Sequence, residues 1–143
     1  MHFAKFNIQI EFDVLKETSI IIFVSEMIKM IKSKQNTEHY IWGRNCDSWI
    51  LLNSEHLSIK QEIMPPNSKE KLHFHKNAQQ FFFILKGKAT FIVDGKVFEV
   101  AENSGFHITP NKKHLIENQS DIDLEFLVIS NPSTNNDRFA VEK

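Results

Sequence analysis

The feature that most constrains the fold is a succession of short apolar segments, separated by turn residues, from residue 39 onward. Period-two alternation and Val, Ile and Phe enrichment within these segments are typical of β-strands. Nine strands are predicted, at residues 48–52, 57–64, 71–75, 79–86, 89–94, 96–100, 106–109, 114–118 and 124–130. Asp94-Gly95 predicts a tight hairpin, because glycine accepts the positive φ of such a turn. With almost no helix in this region, the pattern predicts an all-β barrel or sandwich.

The first part of the chain follows a different pattern. Residues 1–36 are expected to form a strand-helix extension, followed by a barrel domain at 37–143. The alternation in "FNIQIEFDV" predicts a strand near residues 6–14.

A helix is predicted over about 19–33, in "TSIIIFVSEMIKMIKSK". Thr18 or Ser19 can serve as its N-cap, and lysines lie in its last turn. The apolar positions are crowded, so a buried strand over 20–24 is the alternative.

Net charge, the length of apolar runs and the cysteine count limit the kinds of partner and the compartment that we expect. The formal net charge is −1, with 17 basic and 18 acidic residues, which gives no basis for binding nucleic acid or an anionic membrane. No segment approaches the roughly 20 apolar residues that span a bilayer, and the run at 20–24 is too short for a signal peptide. The single cysteine, Cys46, cannot form an internal disulfide. We therefore expect a cytoplasmic protein with neither a nucleic-acid nor a membrane partner.

Two histidines alternate in "KLHFH". His73 and His75 share one strand face about 6.6 Å apart. Two imidazoles at that spacing can coordinate the same ion, because metal–nitrogen bonds are about 2.0–2.1 Å. An isolated pair of this kind fits a polar strand edge equally well.

The neighbouring segments favour a metal site. Gln80 follows in the next predicted strand, on the same alternation as Phe82, and antiparallel pairing would bring it beside the histidines. His114 begins a later strand, directly after a proline-led turn. Two neighbouring histidines, an amide and a distant third histidine form a recognisable set of metal ligands.

This stretch resembles the first motif of the cupin superfamily, G-x5-HxH-x3,4-E-x6-G. It runs through His73, His75, Gln80 in place of the glutamate, and Gly87. The opening glycine is absent, and Asn67 stands in its position.

The second cupin motif, G-x5-PxG-x2-H-x3-N, resembles "TPNKKHLIEN". His114 and Asn118 match, whereas Thr109 and Asn111 replace the proline and the second glycine. The likeness covers about residues 39–131. More narrowly, the sequence is similar to small single-domain bacterial cupins with the type-2 conserved barrel.

The resemblance implies a cupin (double-stranded β-helix, or jelly-roll) barrel that pairs as a homodimer. It also implies one divalent metal ion, nickel, zinc, manganese or iron, held by His73, His75, His114 and Gln80. Gln80 alternatively hydrogen-bonds a histidine without contacting the metal.

A glutamine in place of glutamate changes the expected chemistry. Neutral ligands leave the charge of a divalent ion uncompensated, which strengthens it as a Lewis acid. This favours isomerising, eliminating or hydrolytic chemistry over dioxygen chemistry. A site with three histidines and a glutamine is similar to that of the pectin-degradation cupins, which promote ring opening of unsaturated uronates.

Three functions follow as hypotheses. The leading one is a small metal-dependent isomerase, lyase or ring-opening enzyme whose small-molecule substrate is a carbonyl- or carbohydrate-derived metabolite. The first alternative is an iron-dependent dioxygenase. The second is a non-enzymatic sensor, which would bind a small molecule without turnover and keep binding it after metal removal.

Four residues are candidates for substrate binding: Gln61, Phe82, Arg44 and Arg138. Gln61 shares the apolar alternation of its strand and is expected to face inward. The two arginines of the chain can clamp a carboxylate, although a solvated surface position explains either one. Core packing is the alternative for Phe82. No catalytic residue is assigned, because the pattern does not fix the faces of Glu62 and Glu117.

Overall fold

The structure, a computed structural model, describes residues 3–142. Its contacts divide the chain into two compact units, Met1–Lys32 and Ser33–Lys143. The first unit ends at Lys32, whereas the sequence pattern predicts an extension that runs to residue 36.

A single helix, α1, runs from Phe3 to Met30. The strand predicted near residues 6–14 is therefore wrong, while a helix does occupy most of 19–33. The reason is that the α1 segment contains neither glycine nor proline, so nothing interrupts a helix that gains one hydrogen bond per added residue. The predicted caps lie within α1, where Thr18 Oγ1 and Ser19 Oγ donate to carbonyls four residues earlier, each at 2.8 Å.

The described side chains of α1 are exposed within this structure, including large apolar ones such as Leu15, Ile21 and Phe23. The lysine and glutamate residues among them keep the segment mixed in polarity. Within residues 3–142, no helix is both long enough and apolar enough to cross a membrane.

The second unit is built from strands. Eleven strands are present among its described residues: β1 Glu38–Trp42, β2 Cys46–Asn53, β3 Ser58–Met64, β4 His73–Phe74, β5 Gln79–Lys86, β6 Ala89–Val93, β7 Lys96–Val100, β8 Gly105–Ile108, β9 His114–Glu117, β10 Leu124–Asn131 and β11 Phe139–Ala140. They form a six-stranded sheet in the order β1-β2-β3-β10-β5-β8 and a five-stranded sheet in the order β11-β4-β9-β6-β7. This confirms the predicted all-β barrel.

All nine predicted strands are present, and the hairpin at Asp94-Gly95 is confirmed by positive φ angles at both residues. Two strands were missed. β1 spans Glu38–Trp42, where no strand is predicted, although Tyr40 and Trp42 alternate there and Gly43 follows at positive φ. β11 is only two residues long, too short for any periodicity to show.

The core lies between the two sheets and is rich in phenylalanine. Phe91 and Phe126 are fully buried, and Phe82 packs edge-on against Phe91 with ring centroids 5.0 Å apart. Burial of each such ring contributes about 1.5–3 kcal/mol. Phe82 also lines the cavity described below, so the aromatic core supports the wall of the candidate site directly.

Candidate metal centre and its cavity

Three histidines lie together in the barrel. His73 and His75 come from β4 and the residue after it, and His114 pairs directly with His73 across the sheet, from β9. All three are at most 2% exposed. One ring nitrogen from each lies within 4.8 Å of the others, so the predicted convergence of the two histidine motifs is present in the fold.

Backbone carbonyls orient each imidazole. The Nδ1 atoms of the three rings contact main-chain oxygens at 2.6–2.9 Å: His73 with Lys71, His75 with Asp137 and His114 with Lys112. A carbonyl oxygen only accepts hydrogen bonds, so each Nδ1 carries the proton. The three Nε2 atoms are then left with lone pairs, which are what a metal ion binds.

Each Nε2 atom has a different neighbour. His75 Nε2 is buried and has no hydrogen-bond partner among the described residues. His73 Nε2 accepts a hydrogen bond from Arg138 Nη1 at 3.0 Å. His114 Nε2 lies 3.0 Å from Gln80 Oε1. A buried acceptor without a donor is costly, and a cation among these three atoms would satisfy it.

Gln80 reaches the histidines from the other sheet. It is buried on β5, and its amide nitrogen donates to Ser130 Oγ at 3.2 Å. Its Oε1 therefore faces the lone pair of His114 Nε2. Two acceptors directed at each other at 3.0 Å suit a cation between them, whereas the opposite amide orientation would donate a hydrogen bond to His114. These two orientations correspond to the two predicted roles of Gln80.

Burial keeps the histidines neutral. Desolvation lowers the pKa of His73 to about 3 and that of His114 to about 4, and it also lowers the pKa of His75. The Arg138 guanidinium lowers the pKa of His73 further. At neutral pH all three rings are uncharged, which is the form that coordinates metal. Donor type, tautomer and charge thus fit a divalent ion.

The segment after β10 completes the candidate centre. The Asp137 carboxylate accepts hydrogen bonds from three consecutive main-chain N–H groups, those of Lys76, Asn77 and Ala78, at 2.8–3.0 Å. Its own carbonyl orients His75, and the next residue, Arg138, contacts His73. Sequence reasoning missed Asp137, because only the fold brings it to a loop some 60 residues earlier in the chain.

A cavity of about 880 Å³ opens beside the histidines. Its lining includes His75 and Gln80 together with the aromatic rings of Tyr40, Trp42 and Phe82. Among the described residues that line it, five are cationic and two are carboxylates: Arg44, Lys60, Lys69, Lys71 and Arg138 against Glu62 and Glu70. The surplus of positive charge suits an anionic ligand.

Three of the four predicted substrate-binding residues line this cavity: Phe82, Arg44 and Arg138. Arg138 is half exposed and forms an ion pair with Glu70 at 3.1 Å. Arg44 is exposed in the turn between β1 and β2.

The inward orientation predicted for Gln61 is wrong. Gln61 Nε2 donates to Glu125 Oε1 at 2.7 Å and does not line the cavity. The residues of β3 that are buried are Ser58, Glu62 and Met64, on the other alternation. Both faces of β3 carry apolar residues, so the alternation alone did not specify which face points inward.

Glu62 is the second functional candidate that the sequence did not reveal. It is buried on β3, lines the cavity, and accepts a hydrogen bond from Ser48 Oγ at 2.9 Å. Burial raises its pKa to about 7, and the nearby Glu70 carboxylate adds to the rise. A carboxyl group with this pKa exchanges protons readily at neutral pH.

Two packed antiparallel sheets with a buried histidine cluster beside an open cavity define a class: barrels of the double-stranded β-helix type whose histidines could hold a metal ion. A family model described as the cupin domain matches residues 60–130. The chain belongs to the cupin superfamily.

One sequence relative and two solved structures of the same fold illustrate what this chain is similar to. An uncharacterized protein of Methanocaldococcus jannaschii is 33% identical over 75 residues, which are 52% of this chain and 60% of that protein. A predicted oxalate decarboxylase from Thermotoga maritima is similar in structure, with a TM-score of 0.64 and 22% identity over 72% of this chain and 99% of that one. A sugar phosphate isomerase from Silicibacter pomeroyi has a TM-score of 0.62 and 16% identity, over 72% and 76% of the two chains. The match spans less than two thirds of the archaeal relative.

Proposed function

We propose that this chain is a metal-dependent enzyme that acts on an anionic, carbonyl-type or carbohydrate-derived metabolite through isomerising, eliminating or ring-opening chemistry. The metal ligands in this proposal are His73, His75, His114 and Gln80. The observation that carries it is the convergence of one ring nitrogen from each of three buried histidines beside a large cavity, with His75 Nε2 lacking a partner among the described residues.

The donor set determines what a bound ion would contribute. A divalent ion held by neutral nitrogen and amide ligands is a Lewis acid that polarises a carbonyl. The substrate's charge is matched by the chain itself, because Arg44, Lys60 and Arg138 line the same cavity as His75. In the proposal the two arginines bind a carboxylate or phosphate, and Phe82 supplies an apolar wall.

The similar structures support a site of this kind without deciding its reaction. A predicted oxalate decarboxylase and a sugar phosphate isomerase share the barrel. The surplus of cations in the cavity of this chain is what favours an acidic metabolite here.

The first test is elemental analysis of the purified protein. We expect about one equivalent of nickel, zinc, manganese or iron, lost in His73→Ala and His114→Ala. His107→Ala is the matched control, because His107 is exposed on β8 and its Nε2 contacts Gln79 Oε1. Absence of metal from the wild type, even after incubation with each ion, would contradict the proposal.

The second test separates enzyme from binding protein. The loaded protein is incubated anaerobically with a panel of keto acids, sugar acids and sugar phosphates, and products are followed by NMR. Turnover without oxygen is expected. Turnover only after oxygen is admitted would indicate a dioxygenase, and tight binding that survives metal removal, with no turnover, would indicate a sensor.

A further inference from the structure

We propose that Glu62 is the acid–base residue of this site, removing a proton from the carbon next to the substrate's carbonyl and returning it to the product. The inference rests on the proposed function and deepens it, since it selects proton-transfer chemistry for the same cavity.

The position of Glu62 supports the role. It lies on the inner face of β3, and it lines the same cavity as His75 and Gln80. Ser48 Oγ donates to Oε1, and within residues 3–142 no hydrogen bond reaches Oε2. One oxygen is therefore fixed by the protein, while the other has no hydrogen-bond donor among the described residues.

The surroundings of Glu62 allow both protonation states. The charged groups that act on it most strongly are Glu70, which precedes β4, Lys60 on the same strand, and Arg138 from the segment after β10. The cavity adds Arg44, Lys69 and Lys71. Burial and Glu70 favour the neutral acid, whereas Ser48, Lys60 and Arg138 favour the carboxylate. Opposing influences of this kind place a group near the balance that acid–base catalysis requires.

Glu117 shows that burial alone does not produce this arrangement. It is also 9% exposed, but it pairs with Lys69 at 3.4 Å and does not line the cavity. Of the two glutamates that are buried among the described residues, Glu62 lines the cavity and Glu117 does not. Glu117 is therefore a matched control for substitution.

The step balances without an external reagent. The Glu62 carboxylate accepts the proton of the carbon adjacent to the carbonyl, and the electron pair of that C–H bond shifts to the carbonyl oxygen as an enolate. The neutral Glu62 then returns the proton, either to the original carbon, which gives exchange, or to a neighbouring atom, which gives an isomer.

Exchange into pyruvate tests the inference. Pyruvate is a small probe that combines a carboxylate, a carbonyl and exchangeable C–H bonds. The zinc-loaded protein is incubated with it in deuterium oxide, and loss of the methyl proton signal is followed by NMR. We expect exchange faster than in buffer, a decrease of about 100-fold or more in Glu62→Gln, and wild-type rates in Glu117→Gln.

A pH profile distinguishes proton transfer from a structural role. The wild-type exchange rate should rise with pH as Glu62 ionises. Ser48→Ala removes a hydrogen bond that favours the carboxylate, so it should move this rise to higher pH by about one unit. Ser48→Ala also keeps the test valid if Glu62→Gln fails to fold.

The possible results separate the two proposals. A chain that takes up no metal overturns the proposed function and this inference with it. A protein that binds zinc and pyruvate overturns the inference alone if its exchange equals that of buffer, if Glu62→Gln exchanges at the wild-type rate, or if Ser48→Ala leaves the pH profile unchanged.

Discussion

At the scale of single residues, Gln80 is the proposed ligand whose neutral amide would leave the charge of a bound divalent ion uncompensated. Replacement by glutamate would add an anionic oxygen 3.0 Å from His114 Nε2 without changing the side-chain length. We expect Gln80→Glu to bind a divalent ion at least about tenfold more tightly, or about 1.4 kcal/mol. Competition against a chelator of known affinity measures this change.

The neighbouring residue supplies the control. Gln79 is exposed on the opposite face of β5, so Gln79→Glu should leave the affinity for metal unchanged. Equal affinity in wild type and Gln80→Glu would show that Gln80 acts only as a hydrogen-bond partner of the histidine.

Glu62 makes a prediction about stability as well as chemistry. Its pKa in the folded protein is raised from 4.5 to about 7, so folding disfavours the carboxylate. Below pH 4.5 the group is neutral in both states and has no effect. As pH rises from 4.5 to 7, only the unfolded state releases the proton. The free energy of unfolding therefore falls by about 3 kcal/mol.

Glu62→Gln removes this loss. The free energy of unfolding of the variant minus that of the wild type should therefore be about 3 kcal/mol larger at pH 8 than at pH 4.5. Urea denaturation of the metal-free proteins at the two pH values measures it. The histidines titrate alike in both proteins, so their effect cancels, and an unchanged difference would contradict the raised pKa.

At the scale of elements, the segment that follows β10 holds the centre together. Asp137→Ala would remove three hydrogen bonds to the main chain of residues 76–78 and release the carbonyl that orients His75. We expect a loss of about 2–4 kcal/mol of stability and a loss of about 10–100-fold in metal affinity. Thermal unfolding and chelator competition measure the two effects, and Asp121→Ala, at an exposed loop position, should change neither.

The strands and the histidines could be predicted from sequence because both signals are local. Alternation and turn residues locate β5 or β6 without knowledge of the rest of the fold, and the HxH pattern places two imidazoles on one face. Asp137 and Glu62 carry no such signal. Asp137 reaches the site through contacts with residues some 60 positions earlier in the chain. Glu62 lies on a strand with apolar residues on both faces.

The N-terminal error has a different cause. Alternation over residues 6–14 fits a strand, but a strand also requires a neighbouring strand to pair with. A helix satisfies its own main chain, and the segment contains no residue that would stop it.

At the scale of the whole molecule, the buried apolar cluster of the described residues and the three histidines of the candidate metal centre all lie within Ser33–Lys143. Deletion of residues 1–32 should therefore leave the unfolding temperature of the barrel and its metal content unchanged. Calorimetry and elemental analysis of the truncated protein measure both, and loss of metal would contradict the independence of the barrel.

The same pair of proteins tests the predicted homodimer. Light scattering of the full-length and truncated chains gives the number of subunits in each. A dimer in both is expected if pairing occurs through the sheets, and a dimer only with residues 1–32 present would assign pairing to the helix.

The bond between His75 Nδ1 and the Asp137 carbonyl joins residues 62 positions apart. At translation rates of about 5–20 residues per second, His75 is made roughly 3–12 s before the oxygen that orients it. During that interval the ring of His75 is present without the oxygen that orients it, and His114 is made only partway through. A metal site that depends on this bond could therefore form only after synthesis has passed Asp137.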